Sequence, residues 1–200
     1  MRYLIFCATL CLSTQTFSDP VKRLVFIGDS LTEGFGVKKD EAYPNLIQKK
    51  IDQLGKKWMV LNAGISGSTS AGAAARVQWQ LKQKPNLIVL ALGANDGLRG
   101  LPADAMEKNL GDAIEAGQKA AVTVILAGMK VPPNYGTQFP AEFEKTFLKL
   151  AAKYHVPLIP FLLENVAGKP ELNQGDSIHP NAKGHAIVAD TVFQAIKKYL

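Results

Sequence analysis

Apolar and polar positions along this 200-residue chain alternate between two patterns. Short, mainly apolar runs at 24–27, 59–62, 87–92, 122–127 and 156–160 predict strands, and the unbroken run at 24–27 suits one buried on both faces. Between them, 43–54, 70–83, 103–120 and 141–154 carry apolar residues at helical spacing, as in Leu46, Ile47 and Leu54. A last helix is predicted from about 181 to the end, with Ile187, Val188, Val192 and Ile196 on one face. Strands and helices in strict alternation imply right-handed crossovers and a parallel sheet covered on both sides. The expected fold is therefore α/β, three layers (α/β/α), with a five-stranded parallel sheet in the flavodoxin-like order. No internal repeat or second domain interrupts the pattern. The longest irregular stretch, Pro132-Pro133-Asn134-Tyr135-Gly136, reads as a mobile loop after the fourth strand.

The first run, Leu24 to Ile27, leads into Gly28-Asp29-Ser30-Leu31. In open α/β sheets ligands bind beyond the carboxyl ends of strands, so Ser30 stands where chemistry is usually done. The second strand delivers Asn62-Ala63-Gly64-Ile65-Ser66-Gly67, and the third delivers Gly93-Ala94-Asn95-Asp96-Gly97. A loop after the fifth carries Asp176-Ser177-Ile178-His179-Pro180 into the last helix. In a parallel sheet all of these emerge on one edge.

Composition narrows the class. Apolar content of 47% and charged content of 20% describe a folded chain. Its net charge of +6 comes from scattered lysines, which favours a solvated surface and argues against nucleic acid as a partner. At the N-terminus, Arg2 precedes an apolar run from Tyr3 to Leu12 and then small and polar residues to Ser18. That reads as a signal peptide over 1–18, followed by a single domain over 19–200, and as a periplasmic or secreted location. The run is too short to span a bilayer, so no stable membrane insertion is expected after cleavage. Both cysteines, Cys7 and Cys11, lie within it, so the mature chain has no disulfide and no thiolate nucleophile. With three histidines besides, metal binding is poorly supported.

The residue types at the strand ends suggest nucleophilic catalysis. Serine needs a base to take its proton. Histidine, with a reference pKa near ~6.5, suits that work. Asp176, three residues before His179, is placed to orient the imidazole. The N–H groups of Ser30 and Gly64 and the side-chain amide of Asn95 offer donors for a developing oxyanion. Plain readings stand beside these: Ser30 as a helix cap, Asp176 as a cap for the last helix, Asn95 as a turn residue, Asp96 as a loop brace. His155 reads as a surface residue, and His185 has no acidic neighbour at short spacing.

The blocks Gly28-Asp29-Ser30-Leu31, Gly64, Gly93-Ala94-Asn95-Asp96 and Asp176-Ser177-Ile178-His179-Pro180, in that order, resemble those of the SGNH (GDSL) hydrolase family, from about Val21 to the C-terminus. Asn95 to Leu101 and Val131 to Gly136 further resemble its periplasmic thioesterase/lysophospholipase and arylesterase branch. The resemblance implies Ser30 as nucleophile, His179 as base, Asp176 as its partner, and Ser30, Gly64 and Asn95 as the oxyanion hole. It also implies an acyl groove lined by Leu31, Met129, Val131, Asn134, Tyr135 and Ile178. The expected activity is hydrolysis of acyl esters, thioesters or lysophospholipids by a monomer without cofactors. The alternatives are a carbohydrate O-acetylesterase of the same superfamily and a non-catalytic, flavodoxin-like binding protein.

Overall fold

The computed structural model describes residues 20–131 and 138–200; the expected signal segment, both cysteines and the Pro132–Gly136 loop lie outside the described residues. The chain enters the sheet through β1 (Lys22–Gly28), an interior strand in which Leu24, Val25, Phe26 and Ile27 are all fully buried. Side chains alternate faces along a strand, so four consecutive buried residues mean both faces are covered. β1 pairs in parallel with β2 (Trp58–Gly64) on one side and β3 (Leu87–Ala91) on the other. β4 (Thr123–Ala127) and β5 (Leu158–Ile159) complete the sheet, in the order β2-β1-β3-β4-β5. That is the flavodoxin-like order expected from five strands.

Helices cover the two faces. α2 (Tyr43–Gln53) packs against α7 (Ala182–Ile196), while α3 (Ala73–Leu81), α5 (Ala103–Lys119) and α6 (Gln138–Tyr154) pack on one another in turn. Each turns a helical stripe to the core, as with Val188, Ala189, Val192 and Ile196 of α7. Among the described residues no helix is long and apolar enough to cross a membrane.

Two departures from the sequence reading have local causes. The fifth strand was expected over 156–160 and pairs only at Leu158–Ile159. Pro157 and Pro160 flank it, and a proline has no N–H to give a ladder. The other departure is two short helices, α1 (Ser30–Glu33) and α4 (Ala94–Leu98), at the ends of β1 and β3. Neither is long enough to display a 3.6-residue period.

Candidate active site

Gly28 ends β1 against α1, where an added Cβ would lie 1.9 Å from Thr32 Oγ1. The missing side chain lets the helix begin directly above the strand. Asp29 caps that helix, accepting the N–H of Leu31 at 3.0 Å through Oδ1. Ser30 becomes its first residue, at the carboxyl edge of β1. Burial pushes the Asp29 carboxyl up to about 6, against the lowering effect of the Leu31 N–H, His179, its own amide and Arg76.

The opposite wall comes from residues 173–180. An antiparallel bridge between Asn173 and Pro180 closes this loop at its base, and Gln174 N–H donates to His179 O at 2.8 Å. Gln174 Nε2 also donates to Phe35 O at 2.7 Å, tying the loop to the segment after α1. Within the loop, Asp176 Oδ1 accepts the N–H groups of Ile178 (3.1 Å) and His179 (3.0 Å). Its other oxygen, Oδ2, lies 2.7 Å from His179 Nδ1. His179 Nε2 lies 2.8 Å from Ser30 Oγ. Residues 149 positions apart are thus joined in one relay, Asp176–His179–Ser30. Desolvation raises the Asp176 carboxyl, but the hydrogen bonds from the His179 ring and the two N–H groups outweigh it and hold it below the usual carboxylate range. Asp176 does not cap the last helix: Asn181 does, accepting from Lys183 and Gly184. The Phe35 ring covers the imidazole at 4.8 Å between centroids.

Between these walls opens a cavity of about 540 Å³. Of the residues expected there, Ser30, Leu31, Asn95, Met129, Val131, Ile178 and His179 line it. Asn134 and Tyr135 lie outside the described residues. Asn95 is on α4, not in a plain turn, and its Nδ2 donates to Ser68 O at 3.0 Å, leaving a second amide hydrogen for another acceptor. Asp96 faces away, buried, accepting the N–H and hydroxyl of Ser70 at 2.8 and 2.6 Å.

Gly64 departs from expectation. It does not line the cavity, and its N–H donates to Asn62 Oδ1 at 2.9 Å. Its lack of a side chain serves packing instead, because an added Cβ would sit 2.1 Å from the N of Glu33. Three residues on, Gly67 does reach the cavity, beside Ser30 and Asn95. The Gly-Ile-Ser-Gly string offered two glycines, and only the depth at which β2 ends distinguishes them. Phe35, Phe161 and Leu163 also line the cavity. No sequence signal marked them, since scattered apolar residues in loops are ordinary.

The described residues contain no group of three or more His, Cys, Asp or Glu side chains placed to hold a metal ion. Residues 26–187 match the model of the GDSL-like lipase/acylhydrolase family. The Esterase TesA of Pseudomonas aeruginosa and the Arylesterase of Vibrio mimicus are each 34% identical over 201 residues, covering all of both chains. The Thioesterase 1/protease 1/lysophospholipase L1 of Escherichia coli is 37% identical over 168 residues, 84% of this chain and 79% of that one. A crystal structure of TesA superposes with a TM-score of 0.87 at 34% identity, over 90% of this chain and 100% of the other.

Proposed function

The chain belongs to the GDSL-like lipase/acylhydrolase family, and from that premise we propose that it hydrolyses acyl esters and thioesters through a covalent acyl-enzyme on Ser30. The observation that carries this reading is the relay from Asp176 through His179 to Ser30, opening into a largely apolar cavity. Asp176 holds Nδ1 protonated, so Nε2 is free to take the serine proton as Oγ attacks the acyl carbonyl. Three donors meet the resulting oxyanion: the N–H of Ser30, which at the first position of α1 has no intrahelical acceptor; the N–H of Gly67; and Nδ2 of Asn95. His179 then gives the proton to the departing alcohol or thiol. Water enters, His179 takes its proton, and the free acid leaves. Leu31, Met129, Val131, Phe161, Leu163 and Ile178 offer the acyl chain an apolar surface, which favours medium and long chains and lysophospholipids over acetyl groups. The N-terminal run of apolar residues after Arg2 supports export to the periplasm or beyond.

The test is hydrolysis of p-nitrophenyl esters from acetyl to palmitoyl, with palmitoyl-CoA as the thioester. Wild type is expected to prefer chains longer than acetyl, and Ser30→Ala to abolish turnover and labelling by a fluorophosphonate. Turnover confined to acetyl would point instead to a deacetylase. Folded wild type without turnover or labelling would leave only a binding role.

A further inference from the structure

Residues 65–68 carry Gly67 into the cavity, and charged side chains grip this short loop from both sides. From α1, Glu33 Oε2 accepts the N–H of Ser66 at 2.9 Å and also the Ser66 hydroxyl. From the end of α4, Arg99 Nη2 donates to the carbonyl of Gly67 at 3.0 Å. The N–H of Gly67 belongs to the peptide plane between Ser66 and Gly67. Glu33 holds the plane before it and Arg99 the plane after it. Gly67 lies at φ 75°, where glycine has wide freedom, so an unrestrained loop would let this N–H wander.

We propose that Glu33 and Arg99 are positioning residues that clamp residues 65–68 so that the Gly67 N–H is aimed at the oxyanion before substrate arrives. The proposal rests on the reading of Gly67 as an oxyanion donor. Two features of the arrangement support a catalytic purpose over plain bracing. Glu33 is on the same four-residue helix as Ser30, so the clamp sets the donor relative to the nucleophile itself. The carboxylate of Glu33 would by itself oppose a negative charge forming nearby, and Arg99 on the other side of the same loop supplies the opposite charge. Both side chains belong to exposed residues outside the core, so neither is needed to fill it.

Steady-state kinetics on the best p-nitrophenyl ester separate the outcomes. Glu33→Ala is expected to lower kcat on the order of 10-fold to 10²-fold with KM within about twofold, since a small misplacement of a catalytic group costs that much. Glu33→Gln, whose amide oxygen still accepts from Ser66, should recover most of the loss. Arg99→Ala should show the same kcat-selective loss, and the double variant should be much less than additive, because either release frees the same loop. Binding of an alkyl boronic acid, which mimics the tetrahedral intermediate on Ser30, should weaken in parallel with kcat while thermal unfolding stays put. Wild-type kcat in Glu33→Ala, a change confined to KM, or equal losses in the Ala and Gln variants would overturn the clamp. If Ser30→Ala is inactive and fluorophosphonate labels the wild type while Glu33→Ala turns over normally, the clamp alone fails. A wild type without turnover or labelling removes the oxyanion role of Gly67, and the clamp falls with it.

Discussion

Asp176 uses its two carboxylate oxygens for different ends, one to fold the loop through the N–H groups of Ile178 and His179, the other to hold the imidazole. Substitution can separate them. In Asp176→Asn the carbonyl oxygen can still accept the two backbone N–H groups, but an NH₂ then faces Nδ1. The imidazole must present Nδ1 as acceptor and carry its proton on Nε2, where it cannot accept from Ser30. The expected loss in kcat is about 10⁴, with the loop intact. Asn95→Ala removes one of the three donors proposed for the oxyanion and should cost less, about 10² to 10³. Comparing the two kcat values on one ester checks the ranking; a larger loss at 95 than at 176 would mean that the donors matter more than the tautomer.

At the scale of elements, the site depends on short helices that propensity would not form alone. α1 has four residues and α4 has five, and each is anchored by a buried aspartate: Asp29 caps α1, and Asp96 ties α4 to the turn at Ser70. Asn109 Nδ2 also reaches the Ser70 hydroxyl at 3.1 Å, extending the network to α5. Asp96→Ala would leave the Ser70 N–H and hydroxyl buried without their acceptor, at a cost of about 3 kcal/mol. Urea unfolding should report that loss, and kcat should fall as well, because Asn95, the proposed oxyanion donor, immediately precedes Asp96 on the same helix. A stability change under about 0.5 kcal/mol would assign the anchoring elsewhere. The long elements, by contrast, were legible in the sequence. The runs at 24–27 and 87–92 and the stripes of 43–54 and 103–120 became β1, β3, α2 and α5 with shifts of one or two residues at most ends, because hydrophobic burial acts through the same periodicity that the sequence displays.

For the molecule as a whole, two buried titratable groups oppose each other. Burial holds Asp29 at about 6 in the folded protein against an ordinary 3.8. The native state then binds more protons than the unfolded chain between those values, so this contribution to stability falls as pH rises from about 4 to 6. His185 is buried beside Tyr43, whose N–H donates to Nδ1 at 3.3 Å, and burial lowers it from 6.5 to about 4. Here the unfolded chain binds more protons, so the contribution rises with pH over nearly the same window. Each is worth about 3 kcal/mol, with opposite signs, and together they flatten the profile. Asp29→Asn keeps an oxygen for the Leu31 N–H and should expose the His185 limb, with Tm rising from pH 4 to 6.5 relative to wild type. His185→Gln should expose the Asp29 limb, with Tm falling. Two difference profiles that are both flat would show that neither group pays a burial cost.

The sheet, its five strands and their parallel order are legible in the chain alone, because alternating runs of the right length leave few chain paths that bury them all. Ser30, Asp176 and His179 stand out as candidates in the same way, from their residue types and the blocks around them. Tertiary contacts, and nothing in the chain's pattern, set which backbone groups open into the cavity. Gly64 and Gly67 are alike in composition and differ in depth: one is packed under α1 with its N–H bonded to Asn62, the other is lifted into the cavity. Phe35 over the imidazole and the Glu33–Arg99 grip on residues 65–68 follow from contacts between residues 32 to 144 positions apart. Periodicity reports which face of an element is buried. The direction of one N–H in a loop is set by the partners that tertiary folding brings to it, and those leave no pattern in the chain.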